Sequence, residues 1–68
     1  MKISARNVLK GKVVDIVKGA TTAHVRIDIG GAIVTASITN ESVDDLGLVK
    51  GMTASAVIKS SDVMVAVE

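Results

Sequence analysis

No aromatic ring, proline or cysteine occurs anywhere in this chain, although 49% of its residues are hydrophobic. The apolar set is aliphatic throughout, led by twelve valines, eight alanines and seven isoleucines. β-Branched side chains suit a pleated, half-buried surface. A chain of 68 residues, however, buries only about 60% of the surface its unfolded form exposes. Rings, disulfides and metals are the ordinary ways to reinforce so small a core, and without them the remaining device is association with further copies. The expectation is a single β-rich domain over residues 1–68 that is completed as a homo-oligomer.

The same absences exclude several kinds of chemistry. A chain without cysteine has no disulfide scaffold, thiolate zinc site or cysteine nucleophile. With His24 as its one histidine, a multi-histidine metal site within one chain is excluded, and no metal cation is expected. Without aromatics there is no platform on which single-stranded bases could stack. A net charge of +1 would release few counterions from a nucleic acid. No apolar run reaches the roughly 18–20 residues of a membrane span, and no signal peptide opens the chain. These features predict a soluble, cytoplasmic protein with neither nucleic acid nor membrane as partner.

Hydrophobic periodicity predicts mostly short strands. In the first, Val8 to Lys18, the lysines Lys10, Lys12 and Lys18 oppose Leu9, Val13 and Val17. Gly11 within it marks a bulge or bend, and Gly19-Ala20-Thr21 makes a turn. The second strand alternates most cleanly: Thr22, His24, Arg26 and Asp28 face one way, and Ala23, Val25, Ile27 and Ile29 the other. Gly30-Gly31 is a two-residue hairpin signal leading into a third strand, Ala32 to Thr39. A short helix follows, capped by Thr39 or Asn40 and stopped at Gly47. Met52 to Lys59 reads as a fourth strand, Lys59 to Asp62 as a polar turn and Val63 to Val67 as a fifth strand. The resulting order, β-β-β-α-β-β, is that of an all-β fold with one short helix, a small five-stranded OB-like barrel.

Charge is unevenly distributed. Residues 2–12 hold Lys2, Arg6, Lys10 and Lys12 without an acid, whereas the helix holds Glu41, Asp44 and Asp45 without a base. Ser4-Ala5-Arg6-Asn7 combines a hydroxyl, a small residue that lets backbone N–H groups approach, and the planar donor fork of an arginine. Lys59-Ser60-Ser61 offers an ammonium, two hydroxyls and turn N–H groups. Thr39, Asn40 and Ser42 bring hydroxyls and orphan N–H groups to a helix start, where capping alone also accounts for them. Each segment read singly is an ordinary solvated surface; converging, the three would surround a small anion with donors only. Ser, His and Asp occur without triad spacing, Asp44 and Asp45 point apart, and no phosphate-loop motif surrounds Gly30-Gly31, so no enzyme is expected.

Met1-Lys2-Ile3-Ser4-Ala5-Arg6-Asn7, Leu9-Lys10-Gly11-Lys12-Val13, Ala36-Ser37-Ile38-Thr39, Leu46-Gly47-Leu48, Gly51 and Val57-Ile58-Lys59-Ser60 together resemble molbindin. This is the Mop-type molybdate-binding family, akin to the TOBE module of molybdate regulators and transport ATPases. The resemblance runs almost end to end. It implies an OB-like subunit assembled as a hexamer, a trimer of dimers, with molybdate or tungstate held between subunits. Carried over by position, the site would comprise Ser4, the backbone of Ala5, Arg6, Thr39, Lys59 and Ser60, with Ser42 as a weaker addition. The implied role is storage or buffering of the oxyanion. The competing expectation is a module acting through macromolecules, either an OB-like nucleic-acid binder or a ligand-sensing regulatory domain.

Overall fold

The computed structural model covers residues 1–68 and contains four strands and one α-helix. The strands are β1 (Asn7–Lys18), β2 (Thr22–Asp28), β3 (Ile33–Thr39) and β4 (Thr53–Ile58), with helix α1 (Asn40–Asp45) between β3 and β4. They form one antiparallel sheet in the order β3-β2-β1-β4. Twelve residues long, β1 serves two partners: its first half pairs with β4 and its second half with β2. The expected β-β-β-α-β order and the OB-like curl are therefore present.

The alternation expected for β2 is complete, with Ala23, Val25 and Ile27 buried and Thr22, His24, Arg26 and Asp28 exposed. These three residues join Val13, Val43 and Ala56 in the buried core. Gly30 and Gly31 form the two-residue loop between β2 and β3, both at positive φ (92° and 99°), closed by the Ile29 N–H donating to the Ala32 carbonyl at 2.9 Å. Thr39 caps α1, and Gly47 takes φ 63° just beyond its end.

Three expectations need correction. The irregularity in β1 lies between Val13 and Asp15, not at Gly11. That one-residue shift turns the second half of the strand over, so that Ile16 packs against the core while Val17, expected inside, is 58% exposed. Gly11 is needed for a different reason: a Cβ there would overlap the Asp28 backbone carbonyl. The expected polar turn at Lys59–Asp62 is present, as a 3-10 turn over Ser60–Asp62.

The third correction concerns the fifth strand. Residues 63–68 form none, and after Val63 no backbone hydrogen bond ties the tail to the sheet. A strand exists only as part of a ladder, and the 3-10 turn leaves this segment without one. Met64, Val65 and Val67 are each more than 90% exposed. Meanwhile β3 and β4, the two ends of the sheet, remain unpaired on their outer sides. An apolar groove of about 770 Å³ lies there, lined by Val25, Ile27, Val34, Ile38, Leu48 and Met52 among others.

Candidate oxyanion site

Two segments more than fifty residues apart in sequence meet at one end of the sheet. Asn7 and Ile58 are register partners, and the Asn7 Nδ2 donates to the Ile58 carbonyl at 3.2 Å. Ser4-Ala5-Arg6 leads into that pair and Lys59-Ser60 leads out of it, so Arg6 and Lys59 flank the same closure. Their charges point into solvent, and neither has a carboxylate within ion-pairing distance, since the chain's single ion pair is Lys18–Asp44. The hydroxyls of Ser4 and Ser60 make no hydrogen bond within the chain. The backbone N–H groups of Ala5, Arg6, Ser60 and Ser61 likewise find no backbone acceptor. Unpaired donors of every kind therefore collect at the Asn7 end of β1, and the nearest acid in sequence, Asp62, sits in the 3-10 turn beyond Ser61.

The sequence places Asn7 within the candidate donor segment Ser4-Ala5-Arg6-Asn7 without assigning it a role of its own. Its signal was an amide placed between a cation and the first apolar residue of a strand. Its role is to hold the two donor segments side by side, through a bond that any residue without a side-chain donor would lose.

Thr39 and Ser42 lie at the opposite end of β1. Thr39 pairs with Thr22, beyond the last β1–β2 partners, Lys18 and Ala23. The Thr39 hydroxyl accepts from the Ser42 N–H at 3.0 Å and donates to the Ser42 Oγ at 2.8 Å, so both its functions are occupied by the cap. Ser42 keeps a hydroxyl proton to donate. Next to them, the Asn40 N–H donates to the Thr21 carbonyl and the Asn40 Nδ2 to the Gly19 carbonyl, at 2.9 and 3.0 Å. One chain thus sets Arg6 and Lys59 next to the Asn7–Ile58 pair, with Ser4, Ala5 and Ser60 beside them in sequence, and places Thr39 and Ser42 beyond the Lys18 end of β1.

What the donor end can do follows from its chemistry. It offers a guanidinium, an ammonium, hydroxyls and amide N–H groups, and no carboxylate within Ser4–Asn7 or Ile58–Ser61. Such a set suits a fully deprotonated tetrahedral oxyanion, and charge-assisted bonds of this kind contribute roughly 1.5–3 kcal/mol each. A curled antiparallel sheet with that cluster at its rim defines an OB-like anion-binding module.

The chain belongs to the TOBE domain family, whose model matches residues 3–65. It is 54% identical over 66 residues to molybdenum-pterin-binding protein 3 of Clostridium pasteurianum, covering 96% of this chain and 97% of that protein. Its fold superposes on a molybdate-binding protein from Sporomusa ovata with a TM-score of 0.93 at 42% identity, over 97% of this chain and 98% of the other. It also matches the cytoplasmic molybdate-binding protein ModG, solved with molybdate bound, with a TM-score of 0.89 at 45% identity. That likeness spans 94% of this chain and 46% of ModG.

Proposed function

We propose that this chain is a non-enzymatic, cytoplasmic molybdate-binding protein that stores or buffers molybdate, or the isostructural tungstate, at sites completed between subunits. The observation that carries the reading is the collection of unpaired donors around the Asn7–Ile58 closure, with Arg6 and Lys59 free of any carboxylate. Molybdate at neutral pH is a tetrahedral dianion with no proton of its own. Phosphate retains a proton over much of the same range and so benefits from a carboxylate acceptor, which these segments lack. The names of the similar proteins, molybdenum-pterin-binding and molybdate-binding, agree with this assignment, and the description of ModG as cytoplasmic agrees with the compartment.

The whole chain, residues 1–68, acts as one module, and its assembly is a hexamer arranged as a trimer of dimers. Support comes from how little a single copy buries. Six of 68 residues are buried, while twelve large hydrophobic side chains are exposed. Its radius of gyration, 12.6 Å, exceeds the roughly 11 Å of a compact chain this long. An unpaired, strand-prone tail and an open apolar groove between unpaired edges belong to the same chain, so each copy can supply what the next lacks. Packing of this kind would also let Thr39 and Ser42 of one copy reach the donor cluster of another.

Titration calorimetry with molybdate, sulfate and phosphate tests the binding reading. Molybdate should bind with a Kd of about micromolar or tighter, corresponding to roughly 8 kcal/mol, and phosphate should not bind. Binding of both, or of neither, rejects the assignment. Sedimentation velocity tests the assembly: the intact chain should run as a hexamer, and removal of residues 63–68 should leave smaller species.

A further inference from the structure

The outer face of the β1–β4 pair carries more positive charge than the donor site uses. Val8, Lys10 and Lys12 are the outward residues of β1, and in register opposite them stand Val57, Ser55 and Thr53 of β4, all exposed. Continuing along this face toward the Asn7 end brings Arg6 and Lys59. The result is a run with Lys12 and Thr53 at one end, Lys10 and Ser55 next, the pair Val8 and Val57, and then the donor cluster. None of these cations is ion-paired. The acids closest in register or sequence are Asp28, across from Lys12, Asp15, three residues beyond Lys12 and paired in register with Arg26, and Asp62, beyond Ser61. Asp28 is partly engaged, since its Oδ1 accepts from the Gly30 N–H at 2.9 Å.

Distance decides what Lys10 and Lys12 can do. Four and six residues of extended chain separate them from Arg6, about 13 and 20 Å at 3.3 Å per residue. They are too far away to touch an anion held by Arg6, yet well within reach of its field in dilute salt, where the screening length is about 30 Å at 0.01 M. We propose that Lys10 and Lys12, with Ser55 and Thr53 beside them, form an electrostatic approach track that concentrates the tetrahedral dianion and guides it along the β1–β4 face to Arg6 and Lys59. This rests on the oxyanion-binding reading above and adds residues that act on the ligand through their field and not by contact. A lining of one sign raises the local concentration of an opposite charge, and the effect fades as salt is added.

The experiment is calorimetric titration of the full-length protein with molybdate at ionic strengths of about 0.01 and 0.3 M, comparing wild type with K10Q/K12Q and K10E/K12E. Both lysines are exposed and without hydrogen bonds, so K10Q/K12Q leaves the fold alone; K10E/K12E, which puts a carboxylate across from Asp28, is compared only after its circular dichroism spectrum matches wild type. In dilute salt the neutral pair is expected to bind about threefold more weakly and the reversed pair about tenfold, with both approaching wild type at 0.3 M. Equal affinity of all three proteins in dilute salt overturns the track and leaves the donor site standing. A loss of the same size at both ionic strengths also overturns it, because that is the signature of direct contact. Absence of molybdate binding by the wild type overturns the function reading itself, and the track with it.

Discussion

At the Lys18 end of β1 the polar groups, apart from the buried Asn40 Oδ1, satisfy one another, and at the Asn7 end they do not. Around Lys18, the ammonium is 2.7 Å from Asp44, the Thr39 hydroxyl serves the α1 cap, and the Asn40 amide closes onto Gly19 and Thr21. Around Asn7, one amide bond to Ile58 aligns two segments whose other donors, Arg6, Lys59 and the two serines, face outward unpaired. Both ends draw on similar residue types, a cation, hydroxyls and an asparagine. The difference lies in the acids: α1 supplies Asp44 to one end, and none of the residues flanking the Asn7–Ile58 pair supplies a carboxylate to the other. Donors that are satisfied locally contribute to the fold, whereas donors held together without acceptors form a binding surface.

Substitutions can break or sharpen that contrast. The largest effect should come from removing the strand both ends share. Gly11→Val drives a side chain into the Asp28 carbonyl, and chemical denaturation should register a loss of at least about 3 kcal/mol. Next come Arg6→Ala and Lys59→Ala, each expected to weaken molybdate binding tenfold or more, about 1.4 kcal/mol per decade. Because neither side chain has a partner in the chain, unfolding free energy should stay within about 0.5 kcal/mol of wild type. Affinity unchanged in both variants would remove the contrast altogether. Thr39→Ala reverses the pattern: a lost cap should lower stability by about 1 kcal/mol, with a smaller loss of affinity than Arg6→Ala. Smallest of all, Lys18→Ala breaks an exposed ion pair and should shift stability by no more than about 0.5 kcal/mol in a thermal melt.

Much of this arrangement was legible in the sequence. The alternation of β2 announced its buried face, Gly30-Gly31 announced the hairpin, and Thr39 announced the cap. Ser4, Arg6, Lys59 and Ser60 stood out as acid-free donor segments. Val17 misled because alternation holds only as long as pairing is regular, and the shift between Val13 and Asp15 has no local marker in residue type. Val63 to Val67 misled for another reason: strand propensity describes a side chain's fit to a sheet and says nothing of whether an edge is available. The role of Asn7 was not legible because its partner, the Ile58 carbonyl, lies 51 residues away.

By itself, the sequence determined the period of each strand, the positions of the turns and the absence of rings, thiols and clustered histidines. Those are properties of residues and their near neighbours, set by sterics, propensity and chemistry. Tertiary structure alone decided that Asn7 pairs with Ile58, so that Arg6 and Lys59 flank one closure, that Thr39 pairs with Thr22 beyond the other end of β1, and that the tail leaves an open groove unfilled. Each of these depends on which strands pair and in what register, a choice made by burial across the whole chain.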